Sequence, residues 1–253
     1  NGLSEAGAIV VLYDKIGGDS IAVDTADASG NWSIESGVTL TDGFYNLTAT
    51  ATDSAGNKSS TAQPLAVTID VTAPDVPNAP NLDTGSDSGF TSADDKTNDL
   101  TPSFSGTANV GAEVRLYVDD VFQDSVIAET GTWNITSGTL TNGSRAVTVT
   151  ATDAAGNVSA ASASLDVYVD NVAPLAPGIP GLDSISDTGF SWEDDITNDN
   201  TPVFSGTAEA GALVTLYTSL SGSSIGTDTA DVNGDWTITS STLAAGEHDI
   251  SVT

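Results

Sequence analysis

The sequence repeats itself at an interval of 100 residues, and this repetition restricts the possible folds more than any other feature. Residues 46–60 (NLTATATDSAGNKSS) return as residues 146–160 (AVTVTATDAAGNVSA), and residues 97–117 return as residues 197–217. A turn followed by tryptophan also recurs, at Trp32, Trp133 and Trp236. Solenoid repeats are about 20–50 residues long, whereas about 100 residues is the size of an independently folding domain. The sequence therefore predicts a tandem array of similar small domains.

Within each repeat, apolar and polar residues alternate along short segments that are separated by turn residues. Val114, Leu116 and Val118 alternate with polar neighbours, and Val147 and Val149 alternate with threonines. A period of two residues places one face of a strand in a core and the other in water, as in antiparallel sheets. Several short strands in each repeat predict an all-β fold of tandem Ig-like β-sandwich domains in a linear array. The recurring tryptophans are predicted to fill the cores.

Two proline-rich segments mark the boundaries between the repeats. In both segments proline occupies every third position: Pro74, Pro77 and Pro80, then Pro174, Pro177 and Pro180. This spacing favours a stiff, extended linker. We therefore predict a first repeat at residues 1–73, a complete repeat at 74–173 and a third repeat at 174–253. Comparison of the copies indicates that the first lacks its opening strands and the third its closing ones, as in a segment of a longer protein, with unpaired strand edges in both.

The charge of the chain excludes several classes of partner. Thirty-five acidic residues oppose five lysines and arginines, which gives a formal net charge of -30. Nucleic acid and anionic membrane surfaces are therefore not expected as partners. The absence of cysteine rules out disulfides and thiolate metal sites, and a single histidine leaves zinc and copper without their usual ligands. What remains is a set of carboxylate and amide oxygens, which calcium prefers.

In a sandwich whose strands alternate in direction, the loop after the first strand and the end of the last strand lie at the same pole. This topology brings acidic residues from distant parts of the sequence together. In the middle repeat, Asp94, Asp95 and Asp99 follow the first strand, and Asp170 and Asn171 close the last strand, at the same pole. At the opposite pole, a separate group is expected to meet across the junction with the first repeat: Asp70, Asp153 and Asn157. Carboxylates that converge repel one another unless a cation lies between them. We therefore predict calcium sites, although each acid taken singly is also explained as a turn cap.

The combined run SDxGxxxxDDxTNDxTPxFSGTA, followed by GNW, ATDxAGNxS and VDNVAP, resembles the bacterial Ig-like repeats of giant RTX and Bap-type surface adhesins, which are exported by type I secretion. This resemblance covers essentially the whole chain. It implies an extracellular location on the bacterial cell surface and repeats that calcium stiffens at their junctions and in their interiors. The acid clusters and the resemblance together predict these calcium ligands: Asp53, Asn57, Asp70, Asp83, Asp87, Asp94, Asp95, Asp99, Asp153, Asn157, Asp170, Asn171, Asp183, Asp187, Asp194, Asp195 and Asp199.

The functional hypothesis is an extender segment that supports cell adhesion and biofilm formation, with the neighbouring repeats as its partners. The alternative is an Ig-like module that itself binds a glycan or a protein, for which Trp192 is the candidate contact because it lies outside the recurring tryptophan position. An enzyme is not expected. The protease-like LDTGSDSGF at residues 82–90 returns as LDSISDTGF at 182–190, so the spacing of its acids recurs but the Asp-Thr-Gly triplet does not.

Overall fold

The computed structural model describes residues 1–15, 18–191, 194–218 and 222–253, and these residues form strands and turns without a helix. The chain divides into two compact units, Asn1–Asn171 and Val172–Thr253. The first unit contains the first and middle repeats, and the second contains the third repeat. Nowhere in the described chain is there an apolar helix of the length that crosses a bilayer. The prediction of an all-β fold is confirmed.

The first repeat contains a four-stranded antiparallel sheet in the order β3-β2-β5-β6 and a two-stranded pair, β1-β4. Its strands are β1 (Gly2–Leu3), β2 (Ile9–Tyr13), β3 (Ser20–Thr25), β4 (Asn31–Trp32), β5 (Gly43–Thr52) and β6 (Leu65–Ile69). Strand β6 lies at the edge of its sheet.

The middle repeat is a sandwich of a five-stranded sheet, in the order β11-β10-β13-β14-β8, and a three-stranded sheet, β12-β9-β7. All of its pairings are antiparallel except the short parallel pair of β14 and β8. The strands are β7 (Asn81–Leu82), β8 (Lys96–Thr97), β9 (Ser103–Thr107), β10 (Glu113–Val118), β11 (Val121–Ile127), β12 (Thr132–Thr136), β13 (Gly143–Thr152) and β14 (Leu165–Val169).

The core of the middle repeat lies between its two sheets and follows the predicted alternation. Val114, Leu116 and Val118 of β10 and Val147 and Val149 of β13 are all buried, while the residues between them are more exposed. From the facing sheet, the largest contributions come from Phe104 and Trp133. The period of two residues in the sequence therefore corresponds to one dry and one wet face, as predicted.

The hairpin between β10 and β11 turns at two aspartates. Asp119 and Asp120 both have positive φ angles, 50° and 63°, which is the backbone of a type I′ turn. Aspartate tolerates this conformation better than most residues because its short polar side chain bonds locally. Here the Asp119 carboxylate accepts hydrogen bonds from the Ala146 backbone at 3.0 Å and from the Arg145 guanidinium at 3.1 Å.

The third repeat has the same arrangement on two three-stranded sheets, β15-β16-β19 and β18-β17-β20. Its strands are β15 (Gly181–Leu182), β16 (Val203–Thr207), β17 (Leu213–Thr218), β18 (Ser223–Thr229), β19 (Asp235–Thr239) and β20 (Ile250–Val252). Its core contains Phe204, Val214, Leu216 and Trp236, which correspond to Phe104, Val114, Leu116 and Trp133 in the middle repeat. Strand β20 is at the edge of its sheet.

Each recurring tryptophan lies directly against a glycine of a neighbouring strand. Three such pairs occur among the described residues: Gly2 with Trp32, Gly106 with Trp133, and Gly206 with Trp236. A methyl group built on any of these glycines would lie 2.5–2.7 Å from the Cζ2 atom of the ring. The glycine of the recurring FSGT segment is therefore part of the tryptophan pocket, a role that the sequence analysis did not assign to it.

Candidate functional site

The acidic loop of the middle repeat, residues 83–99, begins with a tight turn at the end of β7. The Asp83 carbonyl accepts hydrogen bonds from the backbone N–H groups of Ser86 (2.8 Å) and Asp87 (2.9 Å). The third repeat has a matching acidic loop, residues 183–199, in which the Asp183 carbonyl accepts the same two bonds at 2.8 and 3.0 Å. This turn directs the fifth residue of each loop, an aspartate, into the protein.

Asp87 and Asp187 are buried, with 6% and 8% of their surface exposed. In each of them the Oδ1 atom is inaccessible to solvent and has no hydrogen-bond partner among the described residues. A buried carboxylate oxygen without a partner is costly, because it loses its hydration and gains no hydrogen bond in return. The same costly arrangement in two repeats is a specific feature that requires a physical explanation.

Two further aspartates lie beside Asp87 in the middle repeat. The pKa of the Asp95 carboxyl is raised above its usual value, first by burial and then by the negative charges of Asp87 and Asp94. Asp95 also has a positive φ of 55°, an uncommon backbone conformation for a residue other than glycine. The corresponding Asp195 has a φ of 53°, so the third repeat bends its chain at the same place.

A glycine provides the space for Asp94. A Cβ atom at Gly89 would lie 2.5 Å from the Asp94 Oδ1 atom, and one at Gly189 would lie 2.8 Å from the Asp194 Oδ1 atom. The backbone of Gly89 also bonds across the loop, donating to the Lys96 carbonyl at 3.1 Å. The recurring glycine two residues after the buried aspartate is therefore needed for the acidic loop to close over its carboxylates.

A serine that the sequence analysis overlooked holds the base of the loop. Ser86 Oγ donates to the Asp99 carboxylate at 3.2 Å and accepts the Ser103 backbone N–H at 3.0 Å. Asp99 in turn accepts the Thr101 backbone N–H at 2.8 Å. Ser186, Asp199, Thr201 and Val203 repeat this network at 2.9–3.2 Å. The sequence contained a clue to this role, since a serine directly precedes the buried aspartate in both repeats. Asp99 and Asp199 thus act as caps of the following turn.

The end of β14 meets the acidic loop, as the predicted strand order requires. The backbone N–H groups of Tyr168 and Asp170 donate to the carbonyls of Asp95 (2.9 Å) and Thr97 (2.8 Å). Asn142 lies beside them, with its amide 3.5 Å from the Asp170 carboxylate and its carbonyl 3.4 Å from the Asn171 N–H. Acidic residues from both ends of the middle repeat therefore do lie at one pole.

At the opposite pole, Asp153 is the cap of a turn. Its carboxylate accepts the backbone N–H groups of Ala155 and Asn157 and the Asn157 side-chain amide, all at 2.9 Å. The hydrogen bond from the Asn157 side chain is the main reason that the Asp153 pKa is lowered. The Asn157 amide also donates to the Asp70 carbonyl at 3.0 Å, so the two repeats are joined directly at their junction. Asp53 and Asn57 form the same turn in the first repeat.

We expect the replacement Asp153→Asn to weaken the dependence of stability on acidic pH. Because the folded-state pKa of Asp153 is lowered, its contribution is fully present above about pH 4, the ordinary aspartate pKa, and is lost as the pH falls through the lower folded value. Thermal unfolding between about pH 5 and 2 measures this, with Asp120→Asn at the exposed hairpin tip as a charge-matched control. Parallel curves for the wild type and Asp153→Asn would contradict the assigned role.

Asp83 and Asp183 differ in their surroundings. The Asp83 carboxylate accepts hydrogen bonds from Ser105 Oγ and the Asn134 side-chain amide. Asp183 accepts the Ile185 backbone N–H at 3.0 Å. Asp70 accepts the Thr72 N–H at 3.1 Å, as a turn cap does. These carboxylates all accept hydrogen bonds, whereas the Oδ1 atoms of Asp87 and Asp187 accept none from the described residues.

The structure brings some predicted ligands close together, but it does not form a finished metal centre. Within the described residues, no group of three or more histidine, aspartate or glutamate side chains is arranged to hold a metal ion. The negative charges of Asp87 and Asp94 act on Asp95 and raise the pKa of its carboxyl, whereas Asp153 and Asp70 are separate turn caps. Trp192, the candidate ligand contact, lies outside the described residues.

Comparison with known families decides what kind of repeat this is. The family model described as bacterial Ig-like domain matches residues 1–71, 73–171 and 174–253. The chain belongs to the bacterial Ig-like domain family. A comparison with curated protein sequences gave no match. The family match covers all three repeats, and it agrees with the resemblance that the repeated motifs carry.

The solved structures that match this bacterial Ig-like protein have low sequence identity to it. Fibronectin(III)-like modules of Clostridium thermocellum CbhA are 21% identical, with a TM-score of 0.40, over 67% of this chain and 82% of theirs. A Ca²⁺-stabilized adhesin of an Antarctic bacterium that binds ice is 24% identical, with a TM-score of 0.39, over 97% of this chain and 63% of its own. A 1.5-MDa bacterial ice-binding adhesin is 20% identical, with a TM-score of 0.34, over 100% and 85%.

Proposed function

We propose that this chain is an extender segment of a bacterial cell-surface adhesin, whose tandem Ig-like repeats are stiffened by calcium and support cell adhesion and biofilm formation. Its partners are the neighbouring repeats of the same protein, and its location is extracellular. Membership of the bacterial Ig-like family and the repetition of one domain three times support an extender. The observation that carries the calcium part of the proposal is the buried carboxylate oxygen, Oδ1, that has no partner among the described residues and recurs at Asp87 and Asp187.

A cation explains this carboxylate better than a structural role does. A carboxylate that merely caps a turn accepts backbone N–H groups, as Asp153 does, but Asp87 Oδ1 accepts none from the described residues. Asp94 and Asp95 add negative charge beside it, which is unfavourable without a counter-ion. A divalent ion held by Asp87, Asp94 and Asp95 would satisfy the orphaned oxygen and remove the repulsion. The third repeat offers the equivalent Asp187, Asp194 and Asp195.

The chemistry of the donors favours calcium over other metals. The loop offers carboxylate oxygens and backbone carbonyls, which are the ligands of hard cations. Calcium accepts six to eight oxygens in flexible geometry, whereas magnesium demands near-ideal octahedral coordination and keeps its waters. Calcium at about tenfold above its Kd would add about 1.4 kcal/mol of stability per site, because only the folded loop binds it. Binding in the acidic loop of the middle repeat would thus stiffen the chain where this loop meets β14.

Calcium titration of the double variant Asp87→Asn/Asp187→Asn tests the proposal. We expect millimolar calcium to raise the melting temperature of the wild type and to leave that of the variant unchanged. In EDTA the variant should be more stable than the wild type, since a neutral amide costs less to bury than an unpaired carboxylate. This reversal of order between calcium and EDTA is not expected if Asp87 only shapes the turn.

Two controls make the result specific. Magnesium at the same concentration should have a weaker effect, and Asp120→Asn, which removes an exposed charge, should keep the full calcium response. Small-angle scattering of the same samples should give a longer and narrower distance distribution with calcium than with EDTA. If calcium changes neither the melting temperature nor the dimensions of the wild-type protein, the proposal of a calcium-stiffened extender is wrong.

A further inference from the structure

Strand β12 of the middle repeat is at the edge of the sheet β12-β9-β7, and one side of its backbone is open. The N–H of Ser137, directly after β12, donates to the Pro102 carbonyl at the start of β9 at 2.9 Å. Because the main-chain groups of a strand point alternately to its two sides, those of Thr132, Asn134 and Thr136 point away from β9. All three residues are exposed, so these groups lie at the surface of the repeat.

In the first and third repeats an aspartate occupies this side of the equivalent strand. Asp24 of β3 accepts the N–H of Ser33, directly after β4, at 2.8 Å. Asp228 of β18 accepts the N–H of Thr237 in β19 at 2.9 Å. Both donors directly follow the recurring tryptophan, as Asn134 does in the middle repeat. A charged residue placed at the edge in this way is one of the means by which natural proteins prevent edge strands from pairing.

The middle repeat has no aspartate at this position. The register of β11 places Val126 there, and Val126 packs against the core. The acid of β11, Asp124, lies two residues earlier, and its carboxylate accepts the N–H of its own neighbour Ser125 at 2.8 Å. Within the part of the chain that the structure describes, the Asn134 side chain bonds to Asp83, but no group accepts the Asn134 main-chain N–H. This open edge is therefore a difference between the middle repeat and the other two.

We propose that β12 pairs edge to edge with β12 of a second copy of this chain, antiparallel and about a two-fold axis at Asn134. The two Asn134 residues would exchange both of their main-chain hydrogen bonds, and Thr132 would lie opposite Thr136 of the second copy. The two three-stranded sheets would then become one six-stranded sheet. This association between copies goes beyond the extender role, and it requires no calcium.

The side chains of β12 are suited to pairing with the same strand. On the exposed side, the antiparallel register places Thr132 opposite Thr136 twice and Asn134 opposite itself. Threonine pairs are among the favourable cross-strand contacts, and like charges directly opposite one another are unfavourable. Since β12 has the sequence TWNIT, no like charges meet in this register. An identical strand therefore satisfies both the main-chain groups and the side chains of the edge.

The charge of the chain also favours β12 as the place where two copies meet. With a formal net charge of -30, two copies repel each other least where charged side chains are absent. Strand β12 has none, whereas the equivalent β19 begins with Asp235 and bonds to the Asp228 carboxylate. Repulsion between the remaining surfaces opposes the contact, so we expect the dimer to become stronger as salt screens it.

Sedimentation equilibrium of the full chain tests the proposal, at concentrations up to about 0.5 mM because a contact of one short strand belongs to the weak end of protein interfaces. We expect a reversible monomer–dimer equilibrium that shifts towards the dimer when sodium chloride is raised from about 0.05 to about 0.5 M. Hydrogen exchange at the amides of Thr132, Asn134 and Thr136 should slow as the protein concentration rises. A chain that stays monomeric under all these conditions would overturn the proposal.

Two sets of variants test the edge. Val126→Asp supplies the missing aspartate and should weaken dimerisation at least about tenfold, whereas Val126→Thr, which has the same shape and no charge, should dimerise as the wild type does. Thr132→Lys/Thr136→Lys should also weaken it at least about tenfold, because like charges then lie opposite one another. Thr132→Lys/Thr136→Glu places opposite charges there and should retain the dimer. Both threonines are exposed, so this second set tests the contact even if Val126→Asp fails to fold.

A cross-link tests the register, since the chain has no cysteine. Asn134→Cys should form a disulfide-linked dimer on mild oxidation, because residues of a hydrogen-bonded pair lie about 5.5 Å apart at their Cα atoms, within the range of a disulfide. Thr132→Cys should not, because its two copies would be four residues apart along the strands, or about 13 Å. Dimers that neither Val126→Asp nor the two lysines weaken, or equal cross-linking at both positions, would place the contact elsewhere and contradict the proposal.

Discussion

Replacing Trp133 by alanine is expected to destabilise the middle repeat by about 3–5 kcal/mol, the range for large aromatic truncations in a core. Trp133 is 4% exposed and packs between the two sheets with Phe104 and Ile135. The sandwich is held together by the faces of its sheets, so the strands around the ring cannot collapse fully into the space it leaves. Native-state hydrogen exchange of β13 measures the loss in this repeat, where a global melting curve would mix several domains.

Trp133→Phe is the matched control. The indole Nε1–H is buried and has no acceptor among the residues described, so phenylalanine removes no hydrogen bond and relieves an unsatisfied donor. We expect this variant to lose at most about 1.5 kcal/mol, as for other conservative core exchanges. Equal losses for the alanine and phenylalanine variants would show that ring volume is not what stabilises the repeat.

A single methyl group at Gly106 is expected to destabilise the same repeat by about 3 kcal/mol, near the upper end of the usual cost of overpacking. In Gly106→Ala the new Cβ would lie 2.7, 2.9 and 3.0 Å from the Cζ2, Cε2 and Nε1 atoms of Trp133. The ring is enclosed and cannot move aside. Gly106 is not among the glycines with positive φ, so the cost is steric and has no contribution from backbone strain.

Gly85→Ala is the control for this prediction. Nothing lies within 4 Å of a Cβ at Gly85, and its φ is also not positive, so we expect a change within about 0.5 kcal/mol. The double variant Gly106→Ala/Trp133→Phe should be more stable than the sum of the single changes predicts, because the smaller ring makes room for the methyl group. Additive losses measured by hydrogen exchange would contradict a direct contact between the two residues.

For the acidic residues of the loops, the sequence alone could not distinguish a metal ligand from a turn cap. Asp87, Asp94 and Asp153 all recur or lie in recurring motifs, and the sequence offered the same two explanations for each, metal ligand or turn cap. The structure separates them by hydrogen bonding. Asp153 is satisfied by three donors of its own turn, whereas Asp87 is buried with one oxygen unpartnered among the described residues. No periodicity in the sequence encodes this difference, because burial depends on strands distant in the chain.

The sequence by itself determined the all-β class, the alternation that buries Val114 and Val147, and the tandem Ig-like organisation. These follow from local periodicity, turn chemistry and self-similarity, which are properties of neighbouring residues. Only the tertiary structure decided that Gly106 must stay small and that Ser86 hydrogen-bonds across the acidic loop. It also decided that Asp87, unlike Asp153, has a buried oxygen with no partner among the described residues. Each of these depends on contacts between strands far apart in the sequence, and such contacts exist only after the two sheets have packed.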